Sequence, residues 1–222
     1  MRVVTWNVQT GRPNPDGPAD IDRVVEHLRA LHADVVAVQE LDRGRRRSGG
    51  VDQPSALALG LGATLIWAPT VRTRTGQYGI ALIVRGEVVH THEVALGGTR
   101  EPRALLVAEI DHEGRRWTIG GTHLSRRRRR ATTQLARCLD ELSARPGPRV
   151  LLGDLNLTPR HVLPWSTAAG YHLLEGPLTH STREARLAAR IDHVLVSGAS
   201  VEQGAVHRFP VSDHCAVSAT LR

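Results

Sequence analysis

Val150-Leu151-Leu152-Gly153-Asp154-Leu155-Asn156 is an apolar run that stops on a carboxylate, with a carboxamide two residues further on. A run of this kind reads as a buried strand, and the end of such a strand is where α/β folds place their chemistry. In a strand, residues i and i+2 share a face, so Asp154 and Asn156 are expected to point into one cleft, an acceptor beside a donor. That pair suits a water that must be held and deprotonated. Asp and Asn are also ordinary turn residues after a strand, so the segment carries meaning only with company.

Several other segments have the same form. Val3-Val4-Thr5-Trp6-Asn7, Val35-Val36-Ala37-Val38-Gln39-Glu40 and Thr118-Ile119-Gly120-Gly121-Thr122-His123 each end on a polar residue able to bind a metal or move a proton. Ile191-Asp192-His193-Val194-Leu195-Val196 carries its acid near the start, and Ser212-Asp213-His214 leads into Cys215-Ala216-Val217. Taken together, Asn7, Gln39-Glu40, Thr122-His123-Leu124, Gly153-Asp154-Leu155-Asn156, Asp192 and Ser212-Asp213-His214 resemble, in the right order, the motifs of the endonuclease/exonuclease/phosphatase superfamily. The resemblance implies an α/β four-layer sandwich of two stacked, mainly antiparallel β-sheets flanked by helices. One domain over residues 1–222 is the simplest organisation, since no linker or internal repeat divides the chain.

Periodicity predicts the elements between the motifs. Residues 2–8 and 34–39 read as strands, and Ala19 to His32 as a helix with Ile21, Val24, Val25, Leu28 and Leu31 on one face. Leu41 to Pro54 reads as a polar loop before a short helix near Ser55 to Leu59. Strands are expected near 63–68, 79–85, 87–95, 104–110 and 115–122, then a helix from about Ser125 to Ala144 ended by Pro146 and Pro148. Pro159 to Ala169 reads as loop or short helix, and strands near 190–196, 201–208 and 214–221 complete the chain.

Composition narrows the chemistry. The net charge is +7, and all 29 basic residues are arginines. Without lysine there is no Schiff base and no lysine-dependent phosphate loop, which leaves carboxylates, histidines and arginines as tools. Arginine suits bidentate phosphate recognition, and the charge is compatible with an anionic substrate, nucleic acid included. Only 3% of residues are aromatic, so base stacking is not an evident binding mode. Cys138 and Cys215 are too few for a disulfide framework, which makes a reducing cytoplasm the expected compartment. No leader pattern or long apolar segment is visible, so neither secretion nor a membrane span is expected.

The resemblance also assigns roles. Glu40 becomes the principal metal ligand, with Asn7 and Asp213 close to the same ion. Mg²⁺ fits oxygen ligands of this kind, Mn²⁺ should substitute, and a zinc site is not expected because no H-E-x-x-H pattern is present. Asp154 aligns or deprotonates water, His214 moves the proton or stabilises the reaction with Asp192 orienting its ring, and the roles of Asp154 and His214 are interchangeable at this level. Asp213 is not expected to orient that ring, because adjacent strand residues face opposite ways. Asn156 and His123 donate to the phosphoryl oxygens, and Arg103 stands where relatives place a phosphate-contacting arginine. Tyr78-Gly79-Ile80-Ala81 has Ile80 where relatives carry Asn. His193 is expected to be structural. Arg126, Arg128 and Arg130, from five consecutive arginines in the first turn of a helix, are candidates for holding substrate beyond the scissile phosphate. The expected activity is metal-dependent hydrolysis of a phosphodiester, in nucleic acid or a smaller molecule. A lipid or sugar phosphate is the alternative substrate, and a non-catalytic basic nucleic-acid-binding protein the rival class.

Overall fold

The computed structural model describes residues 1–12, 17–181 and 187–222. In chain order the strands are β1 (Arg2–Asn7), β2 (Val35–Arg43), β3 (Thr64–Thr73), β4 (Gly76–Val84), β5 (Glu87–Gly97), β6 (Arg103–His112), β7 (Arg115–His123), β8 (Arg149–Asp154), β9 (His172–Leu173), β10 (His180–Ser181), β11 (Leu187–Ala189), β12 (Asp192–Ser197), β13 (Val201–His207) and β14 (Ala216–Leu221). The helices are α1 (Ile21–Ala30), α2 (Gln53–Leu61), α3 (Arg128–Ser143) and α4 (Pro159–Ala168).

Two six-stranded sheets are present, ordered β13-β14-β1-β2-β4-β3 and β5-β6-β7-β8-β12-β9, with a small β10-β11 sheet beside them. Each large sheet holds one parallel pair, β1 with β2 and β7 with β8, and is otherwise antiparallel. α1 bridges the first parallel pair and α3 the second, since parallel neighbours require a crossover. Along β1 and β2, Val3, Val35 and Ala37 face the other sheet, while Val4, Trp6, Val36 and Val38 pack against Val24, Val25 and Leu28 of α1. Leu151 and Leu195 pack likewise on Leu135, Cys138 and Leu139 of α3, with Val150, Leu152, Val194 and Val196 turned to the interior. Strands covered on both sides need no polar face, which is why their sequences are continuously apolar. The result is the four-layer order of helices, sheet, sheet, helices.

The N-termini of α1 and α2 are set by caps. Asp20 accepts from the Arg23 amide at 3.0 Å and Asp52 from the Ser55 amide at 3.1 Å. α2 therefore begins at Gln53, earlier than periodicity alone indicates. The expected loop from Leu41 is also shorter than predicted, because β2 resumes after a bulge and pairs through Arg43 with β4. Its residue Asp42 is fully buried and meets the Arg47 guanidinium two-pronged, at 2.7 and 2.8 Å. Part of the Arg45-Arg46-Arg47 run thus fastens its own loop.

α3 starts at Arg128, three residues later than expected at Ser125. Adjacent arginines repel one another and oppose the helix dipole, so the run does not wind from its first member. Instead Ser125 Oγ accepts from the Arg127 amide at 3.2 Å, and Gln134 Oε1 accepts from the Ser125 amide at 2.9 Å. Cys138 and Cys215 are free and buried. Among the described residues no helix is long and apolar enough to cross a membrane.

Candidate active site

Strand register assembles half of the site. β8 lies between β7 and β12, with Asp154 opposite His123 on one side and Asp192 on the other. These three groups form one transverse row at the end of the second sheet. Gly153 permits the tight pairing, because a Cβ there would collide with the Thr122 carbonyl oxygen.

The other half comes from the first sheet. Asn7 ends β1, and Glu40 sits in the β2 bulge, where Gln39 and Glu40 together oppose Ile80. Glu40 has φ 62°, a left-handed value that a non-glycine residue adopts only under constraint. The bulge separates two neighbours that a regular strand would carry onward. Gln39 stays buried and donates to Thr5 Oγ1 at 3.1 Å, while Glu40 lines the cleft. Glu40 therefore does not end its strand, as the sequence suggests, but interrupts it. Ile80, opposite the bulge, packs into the core between the sheets.

The halves meet through side chains. Asn7 Nδ2 donates at 3.1 Å to both Glu40 Oε1 and Asp154 Oδ2, and its Oδ1 accepts from the Gln9 amide at 3.1 Å. Asn7 thus bridges the two carboxylates with its nitrogen, while its oxygen accepts from the backbone. His214 Nδ1 donates to Asp192 at 2.9 Å, and Asp192 Oδ2 also accepts from Thr179 Oγ1 at 2.6 Å. Ser212 Oγ donates to the Asn7 carbonyl at 2.7 Å and accepts from the His214 amide at 3.0 Å, which staples this segment to the end of β1.

Two local expectations need correction. Asp213 and His214 precede β14 rather than lying in it, so strand alternation does not separate them, and His214 Nε2 is 3.9 Å from both Asp213 Oδ1 and Asp154 Oδ2. β8 ends at Asp154, and Asn156 reaches the cleft through a turn at φ 51°. Its amide donates to Asp154 Oδ1 at 3.0 Å and its Nδ2 to the Leu124 carbonyl at 3.0 Å.

The cleft has a volume of about 310 Å³ and is lined by Glu40, His123, Asp154, Asn156, Asp213 and His214, with Arg103 and Arg126 also exposed to it. Asp192 and Asn7 lie beneath these groups, both essentially without solvent access. Arg103 is tied to Glu101 at 3.0 Å. Arg126 makes no ion pair among the described residues. Arg128 instead lines a separate depression between α3 and α4 with Arg129, Arg160 and Trp165, and Arg130 is exposed on α3 away from the cleft lining. Of the three arginines expected at the rim, the structure brings only Arg126 there. Gln9, Tyr78, Glu101 and His180 also line the cleft and were not identified from sequence. Only Tyr78, in a segment that departs from the family pattern, left any signal.

Burial governs the charges. It pushes the Glu40 carboxyl up despite the Asn7 hydrogen bond, and does the same to Asp154 despite the nearby His214. Burial lowers His123 well below the usual imidazole range, with Arg103 adding to the effect, so this ring is neutral. For His214 burial is overcome by Asp192, Asp154 and Asp213, which hold the ring protonated.

His193 behaves as a structural residue. Its Nε2 donates to the Leu157 carbonyl at 2.7 Å, and burial lowers its pKa from 6.5 to about 4. As pH falls, the unfolded chain binds this proton first. The ring's contribution is therefore complete above about pH 6.5 and is lost progressively down to about pH 4, up to roughly 3 kcal/mol. His193→Gln retains a donor and removes the titration, so its denaturant midpoint should fall less than that of the wild type across this window. Parallel curves for the two proteins would refute the linkage.

The model of the Endonuclease/Exonuclease/phosphatase family matches residues 4–214, and the chain belongs to that family. Its members are phosphoesterases and nucleases that depend on divalent metals. The structure is similar to an endonuclease/exonuclease/phosphatase from Beutenbergia cavernae, with 26% identity and a TM-score of 0.79 over 100% of this chain and 71% of that one. It is similar in fold to D. rerio TDP2 complexed with a single-strand DNA product, with 18% identity and a TM-score of 0.79 over 100% and 98% of the chains. The Bacteroides thetaiotaomicron mannosyl-6-phosphatase Bt3783 is alike at 15% identity and a TM-score of 0.77, over 100% and 99%. No curated protein matches the chain.

The residues present suit a hard cation. Asp213 Oδ1 and Gln9 Oε1 are buried with no hydrogen-bond partner among the described residues, a costly state that a cation relieves. With Glu40 they make an all-oxygen donor set, the kind Mg²⁺ prefers.

Proposed function

We propose that this chain is a Mg²⁺-dependent phosphoesterase that cleaves a phosphodiester by direct attack of water, without a covalent enzyme intermediate. The observation that carries the reading is the row His123, Asp154, Asp192 in strand register, with the His214 ring clasped by Asp192 and turned toward Asp154. Glu40 and Asp213 would hold the cation, assisted by Gln9, while Asn7 keeps Glu40 and Asp154 in place. Bound there, a divalent cation polarises a phosphoryl oxygen and offsets the charge that builds on it.

Asp154 lies at the centre of the cleft, where Asn7 Nδ2 and the Asn156 amide each occupy one carboxylate oxygen and aim the remaining lone pairs. It aligns the attacking water and takes its proton. His214, protonated and oriented by Asp192, and neutral His123 donate toward the phosphoryl oxygens as negative charge develops. Arg126, free of protein carboxylates among the described residues, meets a substrate phosphate at the cleft mouth.

A purely binding protein has no use for five acidic or titratable groups in one cleft, because Glu40, Asp154, Asp192, Asp213 and His214 add mostly negative charge where a polyanion would lie. Hydrolysis of bis(p-nitrophenyl) phosphate separates the readings. Release of p-nitrophenol with Mg²⁺ and none without it is the expected result. Tight binding of a polyanion with no turnover of any phosphoester would favour the rival.

A further inference from the structure

His180 brings a nitrogen ligand to the cleft from a segment far from the others in sequence. Backbone pairing puts it there. The Ser181 amide donates to the Asp213 carbonyl at 2.8 Å, the Cys215 amide donates to the Thr179 carbonyl at 2.6 Å, and His180 lies opposite His214 in an isolated bridge. The two imidazoles meet edge to face with centroids 4.5 Å apart. His180 Nε2 is 3.7 Å from Asp213 Oδ2, and His214 Nε2 is 3.9 Å from Asp213 Oδ1. One ligand atom from each of the three residues lies within 4.8 Å of the other two.

We propose that His180, Asp213 and His214 form a zinc site that blocks the hydrolytic centre, an inference resting on the Mg²⁺-dependent reading above for its inhibitory part only. Two imidazole nitrogens and a carboxylate are a three-ligand zinc set with the fourth position open. Zinc bonds of about 2.0 to 2.2 Å place tetrahedral ligands roughly 3.3 to 3.6 Å apart, so three ligand atoms that lie within 4.8 Å of one another close on an ion by side-chain movements on the order of 1 Å. The hydrogen bond from His214 Nδ1 to Asp192 leaves Nε2 as the ligating atom, which releases its proton to solvent as zinc binds, and supplies the outer carboxylate that zinc-binding histidines commonly have. The side chains of His180 and Asp213 are each 31% exposed, which leaves an approach from the cleft. A second cluster, Asp154 with Asp192 and His214, is less suited, because Asp192 is already engaged by Thr179 and by the wrong nitrogen of His214.

Mg²⁺ avoids nitrogen ligands and zinc favours them, so the two ions select different atoms around the shared Asp213. Zinc at this position takes His214 Nε2 away from the phosphoryl group. No contiguous motif announces such a site, since its ligands lie at 180 and at 213–214.

The test is a zinc titration of the metal-stripped full chain against a chromophoric zinc indicator, in excess Mg²⁺. The wild type should bind one zinc, and His180→Ala, or His180→Gln if the first variant does not fold, should bind it more than about tenfold more weakly. Glu40→Gln should leave zinc affinity within about twofold. In parallel, zinc should inhibit Mg²⁺-supported hydrolysis by the wild type at concentrations that the His180 variant resists. Equal zinc affinity in the wild type and a folded His180 variant, or affinity lost with Glu40→Gln and kept with His180→Ala, would overturn the site. Because binding is read without turnover, the zinc titration decides the site even if the protein hydrolyses no phosphoester.

Discussion

Asp154→Ala and His214→Ala are each expected to lower turnover by roughly 10²- to 10⁴-fold, the range that proton-transfer and charge-stabilising groups contribute. Both residues sit at the hub of the cleft. Asp154 touches Asn7 and the Asn156 amide, with His123 at 3.4 Å and His214 at 3.9 Å. If they serve one water and one phosphoryl group, the double variant should lose far less than the product of the two single losses. Steady-state kinetics on the two single variants and the double, with circular dichroism to confirm the fold, reads this directly. Additive losses would mean that the two groups act in separate steps, and undiminished turnover in either variant would remove it from the mechanism.

Chelation should have an effect at least as large. Excess EDTA is expected to abolish hydrolysis, and Mg²⁺ or Mn²⁺ to restore it. Glu40→Ala should raise the Mg²⁺ concentration needed for half-maximal rate, because it removes the one cleft carboxylate that backbone geometry has been bent to present. The variant also removes a buried acid and a hydrogen bond from Asn7, so its stability must be measured alongside. Full turnover in EDTA would sink the metal assignment, and an unchanged Mg²⁺ requirement in Glu40→Ala would move the ion elsewhere.

The elements were legible where one pattern dominated. Strands covered on both faces announced themselves as apolar runs, and the stripe Ile21, Val24, Val25, Leu28 of α1 appeared at helical spacing. Family order located Asn7, Glu40, His123, Asp154, Asp192 and His214, all of which converge at one end of the two sheets. What local pattern could not reveal were departures from regular geometry. The left-handed turns at Glu40 and Asn156 look like ordinary residues, because positive φ leaves no mark unless glycine fills it. The extension of β2 past Glu40 depends on pairing with β4, which a linear reading does not contain. His180 was invisible for the same reason, its place being fixed by hydrogen bonds to residues more than thirty positions away. The arginine run misled in the opposite direction. Five like residues suggested a common role, yet Arg126 and Arg128 end up in different concavities because the helix begins between them.

The side chains that join the two halves of the cleft have a bearing on when the site exists at all. Asn7 and Glu40 belong to one sheet, with the Asp213-His214 pair on the segment that leads into its strand β14, and His123, Asp154 and Asp192 belong to the other, linked by Asn7 to Asp154 and His214 to Asp192. Neither sheet alone carries a full set of groups. A nascent or partly melted chain, with its layers unseated, therefore holds only inert fragments of the machinery. A complete set of groups exists only while the two sheets are seated against each other.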